Sequence, residues 1–152
     1  MSTNPFLCFL RNYTPMTTSL LKDEISSLCE RKKILVVDDM PENNNMIKAK
    51  LSLLPYDVVA ASSAREALVL MEKEKPDAVL LDIMMPEMDG FELLTIIRHN
   101  PLTAELPVIM LTAYAESGQK DRTFAMGANG YMSKHLIMKE LDSTLQELFE
   151  AC

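Results

Sequence analysis

The chain has 152 residues, 48% of them hydrophobic and 24% charged, which suits one globular domain with a sizeable core. Its formal charge of −7 leaves no overall basic footprint for nucleic acid or an anionic membrane. The three cysteines, Cys8, Cys29 and Cys152, lie far apart with no Cys-x-x-Cys or Cys/His spacing. That argues against a disulfide framework or a zinc site and fits a reducing cytoplasm.

Residues 1–18 mix polar and apolar residues without a sustained period and include Pro5 and Pro15. The apolar patch Pro5–Leu10 is too short to span a membrane and follows no basic residue, so neither an anchor nor an export signal is expected. From Ser19 to Arg31 the pattern turns helical, with Leu21, Ile25 and Leu28 at i, i+4 and i+7 and Thr18 or Ser19 available as a cap. Residues 1–31 are therefore expected to form an arm and a lead-in helix ahead of a domain over residues 32–152. The helix would pack on that domain or on a second copy; a dedicated partner-binding helix is the alternative.

The apolar run Lys33–Val37 reads as a first strand and is followed by Asp38 and Asp39. A helix follows Pro41, capped by Glu42 or Asn43, with Met46, Leu51 and Leu54 recurring inward and Pro55-Tyr56 ending it. Asp57–Ala61 is a second strand. Ser63-Ala-Arg-Glu66 is a capping box that opens a helix to about Glu74, with Ala64, Ala67, Leu68 and Met71 inward. Ala78–Leu81 is a third strand, fully buried by its pattern, that ends on Asp82 before Met85-Pro86 and Asp89-Gly90 break the chain. A third helix runs from Gly90 to His99 with Phe91, Leu94 and Ile97 inward. Val108–Leu111 is a fourth strand closing on Thr112-Ala113. A fourth helix is expected from Glu116 to Met126, stopped by Gly127; a short strand at Asn129–Met132 leads to Ser133-Lys134; and a last helix covers Ile137–Phe149.

Five strand-then-helix units in alternation imply an α/β fold, a parallel sheet with right-handed crossovers and helices on both faces. In such a sheet ligands bind at the carboxyl ends of the strands. Those ends carry Asp38 and Asp39, then Asp82, then Thr112, then Lys134. If the first strand lies beside the third, the three carboxylates converge, and without a partner at least one would have a raised pKa. A divalent cation relieves that conflict, and oxygen-only ligation with room for water suits Mg²⁺ better than zinc or a calcium cage. A carboxylate beside a metal, a hydroxyl and an ammonium has the parts for phosphoryl transfer: Asp82 as nucleophile, with Lys134 and Thr112 on the phosphoryl oxygens.

Val37-Asp38-Asp39, Leu81-Asp82-Ile-Met-Met-Pro86-Glu-Met-Asp-Gly90, Leu111-Thr112-Ala113, Gly127-Ala-Asn-Gly-Tyr131 and Lys134 together resemble the receiver domain of two-component response regulators. The resemblance covers roughly residues 32–151. It implies a flavodoxin-like doubly wound sheet of five parallel strands in order 2-1-3-4-5, here with an extra N-terminal helix. It makes Asp82 the phosphoacceptor, with Asp38, Asp39 and the backbone carbonyl of Met84 completing the Mg²⁺ ligands. Thr112, Ala113 and Lys134 would surround the phosphoryl group, and Tyr131 would be the switch aromatic, against the plainer reading of a half-buried core residue.

One departure stands out. The family usually has proline after the lysine, often through a cis bond, whereas His135 follows Lys134. A cis bond before a residue other than proline costs ~3–4 kcal/mol, so either the strain is tolerated or the bond is trans and the loop is reshaped.

The implied function is a cytoplasmic phosphorylation switch that catalyses only its own phosphorylation and dephosphorylation. The donor would be a histidine kinase or histidine phosphotransfer protein, and the signal would leave through a protein partner on residues 116–149. Direct contact with nucleic acid or membrane is not expected; a homodimer is compatible. A stand-alone regulator is the first expectation; a phosphorylation-independent scaffold and a receiver cut from a larger regulator are the alternatives. Met84 and Tyr114, two residues past Asp82 and Thr112, would crowd an attacking water and slow dephosphorylation.

Overall fold

The computed structural model describes residues 31–114 and 116–150; the arm and most of the lead-in helix lie outside the described residues. Five parallel strands form one sheet: β1 (Lys32–Val37), β2 (Tyr56–Ala61), β3 (Ala78–Asp82), β4 (Val108–Thr112) and β5 (Gly130–Ser133). Their spatial order is β2-β1-β3-β4-β5, the arrangement expected from the sequence. Between and after them come α1 (Pro41–Ser52), α2 (Ala64–Glu74), α3 (Gly90–His99), α4 (Gln119–Ala125) and α5 (Ile137–Glu150), with a 3₁₀ turn at Lys134–Leu136. No described helix is long and apolar enough to cross a membrane.

The strands β3 and β4 are buried along their whole length, and β1 from Ile34 onward, because both faces of the sheet are covered. Alternation along each strand then splits the core in two. Leu35, Val37, Val79, Leu81, Val108 and Met110 pack against Ala67 and Met71 of α2 and Phe91, Leu94 and Ile97 of α3. Ile34, Val36, Leu80, Ile109 and Leu111 face Ile47 and Leu51 of α1 and Ile137, Leu141 and Leu145 of α5.

Local chemistry sets most of the boundaries. Ser63 Oγ accepts from Glu66 N at 3.1 Å, and Glu66 reaches back to Ser62 N at 2.9 Å, so the capping box forms one residue wider than its simplest version. Asp89 caps α3 by accepting from Glu92 N at 2.8 Å. Two expectations need correction in the first half. The helix α1 is not capped by Glu42 or Asn43: Pro41 opens it, its ring pre-set for a first helical position, and both residues lie inside the first turn. Tyr56 belongs to β2 rather than to the preceding turn, and is buried with its ring 6.0 Å from that of Phe149.

The fourth helix is the largest revision. It spans only Gln119–Ala125, because Gly118 adopts φ 82 and delays its start. A left-handed residue of that kind ends regular helix on either side of it, so Glu116–Gly118 forms a turn in which Gln119 N donates to Glu116 O at 3.2 Å.

Candidate functional site

The carboxyl edge of the sheet gathers Asp38, Asp39 and Asp82. Each offers a carboxylate oxygen, and these oxygens all lie within 4.8 Å of one another. The β1–β3 register, Val37 beside Leu81, makes this unavoidable: both strands end on acidic residues one position later. Asp38 is fully buried and Asp82 nearly so.

Asp38 is well supplied with donors. Its Oδ1 accepts from Met40 N at 2.9 Å, and its Oδ2 accepts from Asn43 Nδ2 at 3.0 Å and from Lys134 Nζ at 2.7 Å. Asp82 is poorer. Its Oδ1 takes Lys134 Nζ at 3.1 Å and a long bond of 3.4 Å from Met84 N. Burial, and next the Asp38 charge, push the Asp82 carboxyl up to about 6, with Lys134 pulling the other way. Burial disfavours the Lys134 ammonium, but the hydrogen bonds and charges of Asp38 and Asp82 outweigh it and raise its pKa.

Lys134 reaches both carboxylates although the bond to His135 is not cis; no cis peptide occurs among the described residues. The residues after it wind into the 3₁₀ turn, with Ser133 Oγ accepting from His135 N at 3.4 Å. Of the two ways to accommodate His135, the chain takes the trans one.

Thr112 ends β4 and is buried, but its hydroxyl is engaged locally. It donates to Tyr114 O at 2.7 Å and accepts from Tyr114 N at 3.2 Å. Ala113 beside it is exposed. Tyr131 is half-buried against the α2–α3 core, and its hydroxyl donates to Gln119 Oε1 at 2.7 Å. Thus Asp38, Asp39, Asp82 and Lys134 are brought together, whereas Thr112 and Tyr131 are bonded elsewhere.

Two site residues escaped the sequence reading. Asn43 donates to Asp38, as above, and the buried Asn44 ties the two strand ends, its Nδ2 donating to Asp38 O at 2.9 Å and Ala61 O at 3.2 Å. The signal was Asn43-Asn44-Asn45, three poor helix formers in a row where a helix begins. Gly90 also belongs here: a Cβ on it would collide with the carbonyl oxygen of Asp82 and stand 2.8 Å from Ile83 Cα.

An acidic cluster at strand ends, a lysine bridging two of its members and a threonine on the next strand end form one pattern. The family model for the response regulator receiver domain matches residues 34–146. The chain belongs to that family. Receiver domains are signalling modules of two-component systems rather than conventional enzymes, act between histidine kinases and downstream effectors, and bind Mg²⁺ at an acidic pocket. A structure of the Vibrio cholerae chemotaxis protein CheY4 is similar with a TM-score of 0.73 and 32% identity, covering 78% of this chain and 98% of that one. The transcriptional regulatory protein PhoP of Bacillus subtilis, named for alkaline phosphatase synthesis, is 38% identical over 77% of this chain and 48% of its own length. The Porphyra purpurea protein named probable transcriptional regulator ycf27 is 34% identical over 78% of this chain and 48% of its own length. The chain thus spans about half the length of the PhoP and ycf27 proteins. A 14.6 kDa Leptolyngbya boryana protein is matched over 87% of its length at 40% identity.

The donor set fits the family's cation. Three carboxylates supply only hard oxygen ligands, and a cation among them would offset the burial and the Asp38 charge that together raise the Asp82 pKa.

Proposed function

We propose that this receiver is a phosphorylation switch whose phosphoacceptor is Asp82. The observation that carries the reading is the asymmetry of the two buried aspartates: Asp38 is held by three donors, whereas Asp82 has one close donor and an elevated pKa of about 6. At neutral pH Asp82 is ionised, so its free oxygen attacks phosphorus without a general base. A P–O bond to Asp82 forms as the bond to the leaving group breaks, and the leaving group departs with its electron pair. The donor is a phosphohistidine of a histidine kinase or phosphotransfer protein. Mg²⁺ held by Asp38, Asp39, Asp82 and the carbonyl of Met84 would supply positive charge against the transferred oxygens.

Lys134 follows the charge from the carboxylates to the phosphoryl group, where the amide of Ala113 is also available. Thr112 exchanges Tyr114 O for a phosphoryl oxygen, and Tyr131 gives up Gln119 to turn inward. Adding close to two negative charges biases these exchanges through the differential contacts each arrangement makes. Output leaves through residues 116–149, where Phe124, Leu136 and Met138 are exposed apolar residues, toward a protein partner or a second copy. The receiver domain begins at residue 32, and the setting is the cytoplasm. Met84 and Tyr114 are 68% and 74% exposed; two bulky side chains at these positions would crowd an attacking water and lengthen the life of the acyl phosphate.

The test is incubation with Mg²⁺ and acetyl phosphate, followed by intact mass. Wild type should gain one phosphoryl group and Asp82→Ala none. A wild type that takes up no phosphate overturns the switch and leaves a scaffold.

A further inference from the structure

Asp38 Oδ2 accepts two hydrogen bonds of different kinds. One comes from Lys134 Nζ at 2.7 Å, the other from Asn43 Nδ2 at 3.0 Å. Lys134 Nζ is itself divided, with Asp82 Oδ1 at 3.1 Å as its second acceptor. Asn43 stands in the first turn of α1, an element bound to the end of β1 by the Asn44 amide on Asp38 O and by Asn44 N and Asn43 N on Met40 O. Its amide is therefore held beside Asp38 whatever Lys134 does. Asp38 is fully buried, and a buried carboxylate stripped of donors is costly.

We propose that Asn43 is a positioning residue that releases Lys134. It keeps Asp38 Oδ2 hydrogen-bonded so that the ammonium can leave that oxygen for the group arriving on Asp82. This rests on Asp82 being the phosphoacceptor, but it assigns a role to a residue outside the acidic cluster, its lysine and its threonine. Without the Asn43 amide, Lys134 would be the one donor to Asp38 Oδ2 among the described residues, with Met40 N on the other oxygen. Lys134 would then be retained by Asp38. Its transfer would cost more, and the phosphorylated arrangement would be disfavoured relative to the resting one. The chemistry of Asp82 itself would be untouched, because Asn43 makes no contact with it among the described hydrogen bonds.

The test uses the full chain, Mg²⁺ and beryllofluoride as the phosphoryl mimic, with binding followed by calorimetry and ¹⁹F NMR. Asn43→Ala and the similar-sized but donorless Asn43→Leu should each weaken beryllofluoride binding about 10-fold, the worth of one charge-assisted hydrogen bond. Asn43→Gln, which restores an amide donor, should recover most of the loss. Affinity for Mg²⁺ alone should change by less than about 3-fold, because no proposed ligand is removed.

A double-mutant cycle separates this role from mere support of α1. With Lys134→Ala in the background, Asn43→Ala should have little further effect, since there is no ammonium to release. Equal losses with and without Lys134, or wild-type beryllofluoride binding by both donorless variants, would overturn the proposal while leaving Asp82 as acceptor. Failure of wild type itself to bind beryllofluoride would overturn both readings.

Discussion

The two ends of the sheet use similar residues to opposite effect. At the amino end, Lys33 N donates to Asp77 Oδ2 at 2.7 Å and Lys33 Nζ pairs with Glu74 at 2.9 Å. Arg98 gives its Nε to Gly127 O at 2.9 Å, its Nη1 to Leu106 O at 2.7 Å and its Nη2 to Asn129 Oδ1 at 2.9 Å. Each of these donors meets its acceptor at 2.7–2.9 Å. At the carboxyl end one lysine bridges two of three clustered carboxylates, and Thr112 and Tyr131 are each held by one partner residue, Tyr114 and Gln119. The first end has its donors matched to acceptors; the second carries an excess of negative charge that a divalent cation would relieve.

The largest expected effect comes from disturbing the backbone that joins core and site. Gly90→Ala places a Cβ against the Asp82 carbonyl oxygen, 2.8 Å from Ile83 Cα and 3.0 Å from Asp82 C, all main-chain atoms that do not yield easily. A destabilisation of about 3 kcal/mol is expected, together with weakened beryllofluoride binding, because the displaced residue carries the proposed acceptor. Urea unfolding beside a binding titration checks both; a normal midpoint would show that the β3–α3 loop is softer than its packing implies.

Arg98→Ala probes the amino end alone. It strips hydrogen bonds from three main-chain carbonyls, Thr103 O, Leu106 O and Gly127 O, and from Asn129 Oδ1, which still accepts from Val108 N at 3.0 Å. A loss of about 2 kcal/mol is expected, with Mg²⁺ and beryllofluoride affinities unchanged. A large change in either affinity would mean that the two ends are coupled rather than separate.

What was legible in the sequence follows the same division. Buried strands of Val, Ile and Leu ending on Asp or Thr announce themselves, because a parallel sheet covered on both faces demands continuous apolar runs; hence β1, β3 and β4, and the acidic cluster at their ends, were all read correctly. The start of α4 was not, since Gly118 at φ 82 interrupts a stretch whose composition suits a helix, and only the backbone angle shows it. Asn43 reads from the sequence only as a helix cap, and Asn44 carries no signal, because a polar residue in a first turn looks solvent-facing; their donors turn inward because α1 packs with Ile47 and Leu51 in the core. The bonds of Thr112 to Tyr114 and of Tyr131 to Gln119 depend on rotamers, about which residue spacing says nothing.

The imbalance at the carboxyl end has a stability signature with a definite sign. The folded-state pKa of Asp82 is raised from 3.8 to about 6, by burial first and by Asp38 next. A raised carboxyl pKa means that the folded state binds the proton more tightly than the unfolded chain. Stability is therefore gained as pH falls from about 6 toward 4 and lost as pH rises through that window. At pH 7, with EDTA present, Asp82→Asn should be more stable than wild type by about 1–2 kcal/mol. The gap should close near pH 4, where wild type is protonated. Added Mg²⁺ should also narrow it by stabilising wild type, because binding to the folded state alone raises stability. A wild type more stable than Asp82→Asn at pH 7 would show that Lys134 already compensates the site.

The smallest effect concerns the hold on Tyr131. Its hydroxyl bond to Gln119 Oε1 at 2.7 Å joins β5 to the first turn of α4. Both residues are half-buried, so a coupling of about 0.5–1 kcal/mol is expected between them in a double-mutant cycle of Tyr131→Phe and Gln119→Ala. If inward rotation of Tyr131 must break this bond, removing it lowers the resting state's advantage. Each single variant should then bind beryllofluoride about 2- to 4-fold more tightly than wild type, the binding equivalent of that coupling. Weaker binding by Gln119→Ala would mean that Gln119 stays with the ring in both arrangements. In that case the bond belongs with the matched pairs of the amino end, not with the movable partners of the site.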